Sequence, residues 1–448
     1  MTDNNNAQLQ GENAQPTARS MRTVAVTALG GTSIEWYDFF IYGTAAALIF
    51  PTLFFAEDMP RYVALLASFS TFAVGFIARP IGGVLFGHFG DRVGRKAALV
   101  TALMMMGVAT TLIGLLPGYA QIGPLAPLLL ILLRFVQGLA VGGQWGGAML
   151  LVTENAPANQ RGFYGAFAQA GAPAGLVLAN LAFLAVSGNL TDEAFLDWGW
   201  RIPFISSVLL IGLSLYVQLK LEDTEAFKEL AGASEPSEAK PRSPVIQALK
   251  TYPREIVLAA GAFLGVQVTF YICIAFIISY GTDPDGLNIA RSDMLTAVLV
   301  STLFAIPANF FFGAWSDRHG RRGIYKFGAI CTALWGFVMF AMIDTGDWFM
   351  ITAGLAIGHI CISMMYGPQA ALLAELFSTE VRYSGASLGY QLGAIVGGGF
   401  APMIATSLLV VFGSSMWIAA YIAVANILTW FSINALKESG NTDLDSVA

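Results

Sequence analysis

Apolar residues run along this chain in twelve blocks of about 20 residues or more, each long enough to cross a hydrocarbon core of roughly 30 Å as a helix. The blocks lie at 23–50, 61–86, 97–117, 124–153, 163–188, 199–220, 255–280, 292–315, 325–344, 348–376, 384–411 and 414–436, bracketed by charged or Pro/Gly-rich breaks. This pattern predicts an all-α membrane protein with twelve transmembrane helices. A composition of 56% hydrophobic and 12% charged residues agrees with that class and not with a string of soluble domains. The first twenty residues are polar, and the apolar run after Arg22 outlasts a signal peptide, so 1–22 reads as a cytoplasmic tail.

The placement of charge orients the helices. With the N-terminus inside, 18 of the 23 Lys and Arg residues fall on the cytoplasmic side. Only Arg61, Arg201 and Arg291 fall outside, and Arg79 and Arg134 lie within spans. Such a bias predicts that both termini are cytoplasmic. The charged, Ser- and Pro-containing stretch 221–254 reads as a linker between one six-helix bundle at 23–220 and a second at 255–436, with a short cytoplasmic tail at 437–448. Repeats support the division. Gly87-xxx-Asp91-Arg92-x-Gly94-Arg95-Lys96 recurs as Gly313-xxx-Asp317-Arg318-x-Gly320-Arg321-Arg322, and Glu154 with Arg161 is echoed by Glu375 with Arg382.

Other chemistries find little support. There is no basic domain for nucleic acid, and no nucleophile–base pair, metal cluster or phosphate loop, so neither enzyme activity, cofactor nor metal is expected. Cys273, Cys331 and Cys361 all fall in apolar runs, where buried free thiols are the expectation.

An ionised side chain at bilayer depth costs about 2.5 to 3.5 kcal/mol on insertion scales, so it must face a cavity or a partner. Glu35 and Asp38 stand three residues apart in the first span, on neighbouring positions of one helical face. They are candidates for proton coupling; the alternative is a static pair held by Arg134 or by backbone. Arg134, Gln137 and Gln144 form a polar stripe along the fourth span. Gly138, Gly142, Gly143, Gly146 and Gly147 there allow another helix to approach closely. A guanidinium suits a carboxylate by bidentate pairing, which makes Arg134 the first candidate for an anionic substrate or for the counter-ion of Glu35. Arg79 is placed toward the cytoplasmic end of the second span, within snorkelling reach of it. Gln169, Gln267, Tyr271, Tyr366, Gln369, Tyr390 and Gln391 are further polar candidates in apolar spans, with Tyr37, Trp36 and Trp145 as aromatic neighbours; hydrogen bonding between helices is the plainer account of each. His359, deep in the tenth span, reads as packing or as a proton relay. Asp91 of the loop motif has a mechanical role open to it: bonding to a neighbouring helix N-terminus or to Arg95 closes the cytoplasmic side.

The duplicated loop motif resembles that of the major facilitator superfamily, whose parallel six-helix halves rock about a central site. Glu35-Trp-Tyr-Asp38-Phe, Arg79-Pro-Ile-Gly-Gly, Arg134-Phe-Val-Gln137-Gly and Trp198-Gly-Trp-Arg-Ile-Pro203 look more narrowly like the metabolite:proton symporter family, and Gly87-His-Phe-Gly-Asp-Arg and Tyr383-Ser-Gly-Ala like its shikimate-type branch. The resemblance implies proton-driven uptake of a small organic acid or shikimate-like metabolite across a bacterial inner membrane by a monomer, with Gln267, Tyr271, Gln369 and Gln391 around the cavity. It also implies gating by Arg79, Asp91, Arg92, Arg95, Glu154, Arg161, Asp317, Arg318, Arg321, Glu375 and Arg382. An osmolyte such as proline or betaine is the rival cargo. Where the family reads Gly-Gly-Glu-Trp/Tyr-Gly, this chain reads Gly142-Gly143-Gln144-Trp145-Gly146. A carboxamide matches a neutral carboxyl in shape but releases no proton, so either the proton is carried elsewhere or Gln144 is an engineered mimic of a permanently protonated acid; a transport-impaired membrane sensor is the alternative function that this residue leaves open.

Overall fold

The computed structural model describes residues 18–93, 95–142, 149, 152–154, 156–222, 244–378 and 381–436. It is built of helices, and each of the twelve apolar blocks overlaps one, the fourth as far as Gly142 among the described residues. These are α1 (Ala18–Leu48), α2 (Arg61–Val93), α3 (Arg95–Leu115), α4 (Leu125–Gly142), α5 (Arg161–Ser187), α6 (Arg201–Glu222), α7 (Pro253–Gly281), α8 (Arg291–His319), α9 (Arg321–Ile343), α10 (Trp348–Ala374), α11 (Arg382–Phe412) and α12 (Met416–Ala435). Among the described residues nine of them are long and apolar enough to cross a bilayer unaided, and the bent segment around α6 makes a tenth. The apolar part of α3 is shorter, Val100–Leu115, and α1 is interrupted by Thr32, Ser33, Glu35 and Asp38. Large apolar side chains such as Leu209, Val411, Phe349 and Leu334 point outward, as lipid-facing positions require.

Packing inside each half depends on close backbone approach, because lipid is as apolar as leucine and burial alone drives nothing together. The neighbour anticipated for the α4 glycines is α2. A Cβ on Gly138 would collide with the Gly75 carbonyl oxygen, and one on Gly142 with the Arg79 carbonyl oxygen. Between the halves, α5 packs on α8 and α10, and α2 packs on α11. The α5–α8 and α2–α11 contacts are equivalent under the internal repeat, since α2 corresponds to α8 and α5 to α11. Both α7 and α11 carry one widened π-helical turn, at Ile272–Phe276 and Ile395–Gly399, and α11 uses its turn to lay Gly398 and Gly399 against Phe76 of α2. Such turns recur at functional sites because they rotate the side chains on either side.

Candidate functional site

Three sets of side chains carry chemistry. The first surrounds a small enclosed cavity between the halves, lined by Trp36 and Ala172 from one half and by Val266, Gln267, Phe270, Tyr271, Ile362, Tyr366 and Tyr390 from the other. It offers about 10 Å³ to the centre of a water molecule, room for roughly one. Toward the end that carries the termini, Gln169 closes it from the first half. Its Nε2 donates to the Tyr366 carbonyl and to Gln369 Oε1, both at 3.3 Å. Gln369 donates in turn to Tyr325 Oη at 2.9 Å. Gln391 is buried with its Oε1 lacking a partner. Phe39, Phe72 and Phe76 of the first half pack edge to face against Tyr271 or one another, with ring centroids 5.1 to 6.3 Å apart.

The second set lies inside the first half. Asp38 is fully buried; its Oδ2 accepts from Thr110 Oγ1 at 2.9 Å, and its Oδ1 has no hydrogen-bond partner. Gln137 Nε2 donates to Thr110 Oγ1 at 2.9 Å and to the Asp38 carbonyl at 3.2 Å, and Gln137 Oε1 accepts from Arg134 Nη1. Asp38 and Arg134 are therefore joined through Gln137 and Thr110, without a direct ion pair. The Arg134 guanidinium carbon sits 4.3, 4.1 and 4.9 Å from the ring centroids of Phe39, Tyr42 and Phe72. Gly75 makes room for it, since a Cβ there would fall 3.0 Å from that carbon. Glu35 is only partly buried, one turn earlier on α1.

The third set closes the termini end. Asp317, in the second copy of the loop motif, accepts from the Gly162 and Phe163 backbone N–H groups at 2.7 and 2.9 Å, capping the start of α5 with a carboxylate. Arg321 Nη1 donates to Asp317 at 2.6 Å and Arg321 Nη2 to Glu375 at 3.1 Å; Arg161 Nη1 lies 4.0 Å from Glu375. Arg382 Nη1 reaches Glu154 at 3.1 Å. Gly162 and Gly313 meet backbone to backbone beneath these charges, which explains the glycine that opens the repeated motif. At the opposite end Arg61 pairs with Asp283 at 3.1 Å and Arg291 with Asp192 at 2.6 Å, again across the halves.

Several candidates therefore fall together and others do not. Gln267, Tyr271, Tyr366 and Tyr390 line the cavity, and Gln169 and Gln369 close it. Tyr37 is turned away, because one residue's rotation from Trp36 aims it at α6, where its hydroxyl donates to the Pro203 carbonyl at 2.9 Å. Arg134 and Gln137 lie behind the Phe39 and Phe72 rings and not on the cavity wall. Arg79 does not snorkel: it is 1% exposed, with its guanidinium carbon 4.3 Å from the Phe39 centroid and 4.4 Å from that of Phe76. Arg318 is exposed beside the closing network. Gln144 and Trp145, and the side chains of Asp91, Arg92 and Arg95, lie outside the described residues. His359 is buried with neither ring nitrogen bonded to a side chain. Thr110, Gly75, Tyr325 and the Phe39/Phe72/Phe76 group escaped the sequence reading. For the aromatics a signal existed, since Phe69, Phe72 and Phe76 recur at helical spacing along α2.

Residues 23–241 match the family model for sugar (and other) transporters, and residues 273–446 that of the major facilitator superfamily. The inner membrane metabolite transport protein YhjE of Escherichia coli (strain K12) is 42% identical over 431 residues, covering 95% of this chain and 96% of that protein. The shikimate transporter of the same strain is 40% identical over 423 residues, covering 93% and 95%. A solved structure of the proton:xylose symporter XylE bound to 6-bromo-6-deoxy-D-glucose has the same fold, with a TM-score of 0.73 at 18% identity over 96% of this chain and 98% of that one. The chain belongs to the major facilitator superfamily, a family of membrane transporters and not of enzymes.

Proposed function

We propose that the chain takes up a small organic acid or shikimate-like polar metabolite together with a proton, by alternating access across a bacterial inner membrane. The carrying observation is the enclosed cavity at the meeting of the halves, with charge pairs between the halves at both of its ends. Alternating access needs such closures: opening one set while keeping the other exposes the cavity to one side only. The positive-inside bias supports a cytoplasmic location for the Asp317–Arg321–Glu375 end, with the two bundles as the rocking units in this reading. The relatives that transport metabolites, shikimate among them, favour a metabolite cargo here.

Asp38 is the proton-coupling residue in this reading, with Glu35 beside it and Arg134 linked to it through Gln137. Its free Oδ1 has room for a proton inside the first half, where adding or removing one charge is felt by the whole buried network. One proton moving down 100 mV supplies roughly 2.3 kcal/mol, about fifty-fold accumulation. The test is uptake of labelled shikimate and 2-oxoglutarate into proteoliposomes under an imposed pH gradient. Gradient-driven accumulation is expected in wild type; Asp38→Asn should retain exchange of substrate across the membrane and lose accumulation. Accumulation by Asp38→Asn equal to wild type would remove the proton role, and wild-type uptake indifferent to the gradient would remove symport itself.

One observation favours a second cargo. Trp36, Phe270, Tyr271, Tyr366 and Tyr390 line the cavity, and aromatic walls suit a quaternary ammonium group. Betaine uptake faster than that of any carboxylate at equal concentration decides for an osmolyte.

A further inference from the structure

We propose that Arg79, together with the hydroxyls of Tyr271 and Tyr390, holds the carboxylate of the transported acid, and that Arg134 does not touch it. This rests on the organic-acid reading above and assigns the contacts that the reading leaves open. Arg79 sits near the middle of α2, buried, with Trp36 as one of the three rings around its guanidinium, 5.5 Å from centroid to carbon. Its Nε and Nη2 make no hydrogen bond. These two nitrogens form the edge of the guanidinium that binds both oxygens of a carboxylate in parallel. A fixed positive charge at bilayer depth with that edge unsatisfied costs several kcal/mol, and an anionic ligand is the natural complement.

What Arg79 reaches across the interface comes from the other half. Arg79 is close enough to interact with the hydroxyls of Tyr271 and Tyr390, and Tyr271 Oη also has no hydrogen-bond partner. Both tyrosines line the cavity beside Trp36 and Gln267. A carboxylate accepting two bonds from Arg79 and one from each hydroxyl would have all four of its acceptor positions filled. Arg134 has the same two nitrogens unpartnered, but it lies against Gly75 and is covered by Phe39, Tyr42 and Phe72, none of which lines the cavity. Trp36, one of the three rings around Arg79, does line the cavity. The geometry also couples binding to motion. Arg79 belongs to the first half and the tyrosines to the second, so a bound carboxylate bonds to both halves at once and draws them together around itself.

The experiment measures apparent Kd from the concentration dependence of thermal stabilisation of the purified full-length chain. The probes are shikimate, 2-oxoglutarate and citrate, each against its methyl ester. Wild type is expected to prefer at least one acid over its ester. Arg79→Gln should weaken that acid at least about 30-fold and abolish the preference, whereas Arg134→Gln should lower the melting temperature and keep it. An acid preference that survives in Arg79→Gln, or that vanishes in Arg134→Gln alone, overturns the assignment while leaving organic-acid transport standing. If wild type responds to no acid, the reading beneath it fails and the assignment with it. Should Arg79→Gln not fold, Tyr271→Phe combined with Tyr390→Phe keeps the rings and removes the hydroxyls. The double variant is expected to lose at least tenfold in acid affinity with ester affinity unchanged, and an unaltered preference counts against the proposal.

Discussion

The two ends of the interface between the halves are closed by the same kind of charge pair in different surroundings. At the termini end, Arg321 and Glu375 have no exposed side-chain surface and Asp317 has 4%, and the same carboxylate that binds Arg321 also accepts from two backbone N–H groups of α5. At the opposite end, Arg61 and Asp283 keep 51% and 37% of their side-chain surface, and Asp192 keeps 90% although its partner Arg291 keeps 18%. An exposed pair contributes about 0–1 kcal/mol, while removing one partner of a buried pair leaves a stranded charge worth roughly 3–5 kcal/mol. One end is therefore held by a network that must be taken apart as a unit, and the other by contacts that water replaces at little cost. The closed arrangement is expected to open first at the exposed end.

Glu375→Gln is the strongest way to break that asymmetry. It removes the carboxylate that Arg321 and Arg161 share. With about 3–5 kcal/mol lost from the closed state, the termini end should gape. A cysteine placed at Ala370, buried near Gly165 where α5 meets α10, would then react with a polar maleimide more than about 30-fold faster than in the parent. An unchanged labelling rate would mean that the buried network does not hold this end shut.

Gly313→Ala tests the backbone contact beneath the charges and should have the next largest effect. A Cβ there would sit 2.5 Å from the Gly162 carbonyl oxygen. Overpacking of this kind costs about 1–3 kcal/mol, so uptake should fall roughly tenfold even though no charge changes. Gly162→Ala should do the same, and the two together should be less than additive, because one displacement of α5 from α8 relieves both. Additive losses would place the damage elsewhere than in this contact.

The difference between the ends was half legible in the sequence. The repeat of Gly87–Lys96 as Gly313–Arg322 marked the termini end, and the echo of Glu154/Arg161 in Glu375/Arg382 paired its acids with its bases, because a motif used twice repeats its spacing. Arg61, Asp192, Asp283 and Arg291 carry no such pattern: they stand at helix ends or between helices without a repeated spacing, and only the fold brings Arg61 to Asp283 or Asp192 to Arg291. The fold itself could be read from twelve apolar blocks, since lipid demands them one by one. The interior of the first half was harder. Arg79 and Arg134 look alike in sequence as lone cations in apolar spans, and what separates them is which rings cover them. That depends on the rotation of α2 and α4 about their axes, which a small-residue stripe brings together closely but does not aim. Thr110 was invisible for a similar reason: a threonine in a helix ordinarily satisfies itself on its own backbone, and the single O–H of this one lies within reach of both the Met106 carbonyl and Asp38 Oδ2.

The smallest expected effect is the one that sharpens the comparison most. Arg61→Ala combined with Arg291→Ala removes both pairs at the exposed end, yet should change uptake by less than about threefold, since each pair contributes at most about 1 kcal/mol and water solvates the freed carboxylates. Salt should imitate the substitution. At about 1 M ionic strength, where the screening length falls to roughly 3 Å, wild type should behave like the double variant, and the double variant should no longer respond to salt. The buried end should be indifferent to the same change, because Arg321 and Glu375 are beyond the reach of mobile ions. A tenfold loss in the double variant would show that exposure is a poor guide to what these pairs do. The exposed end would then have to hold the closed state through the geometry of loop docking, with Asp283 and Asp192 as anchors for whole segments and not merely as charges.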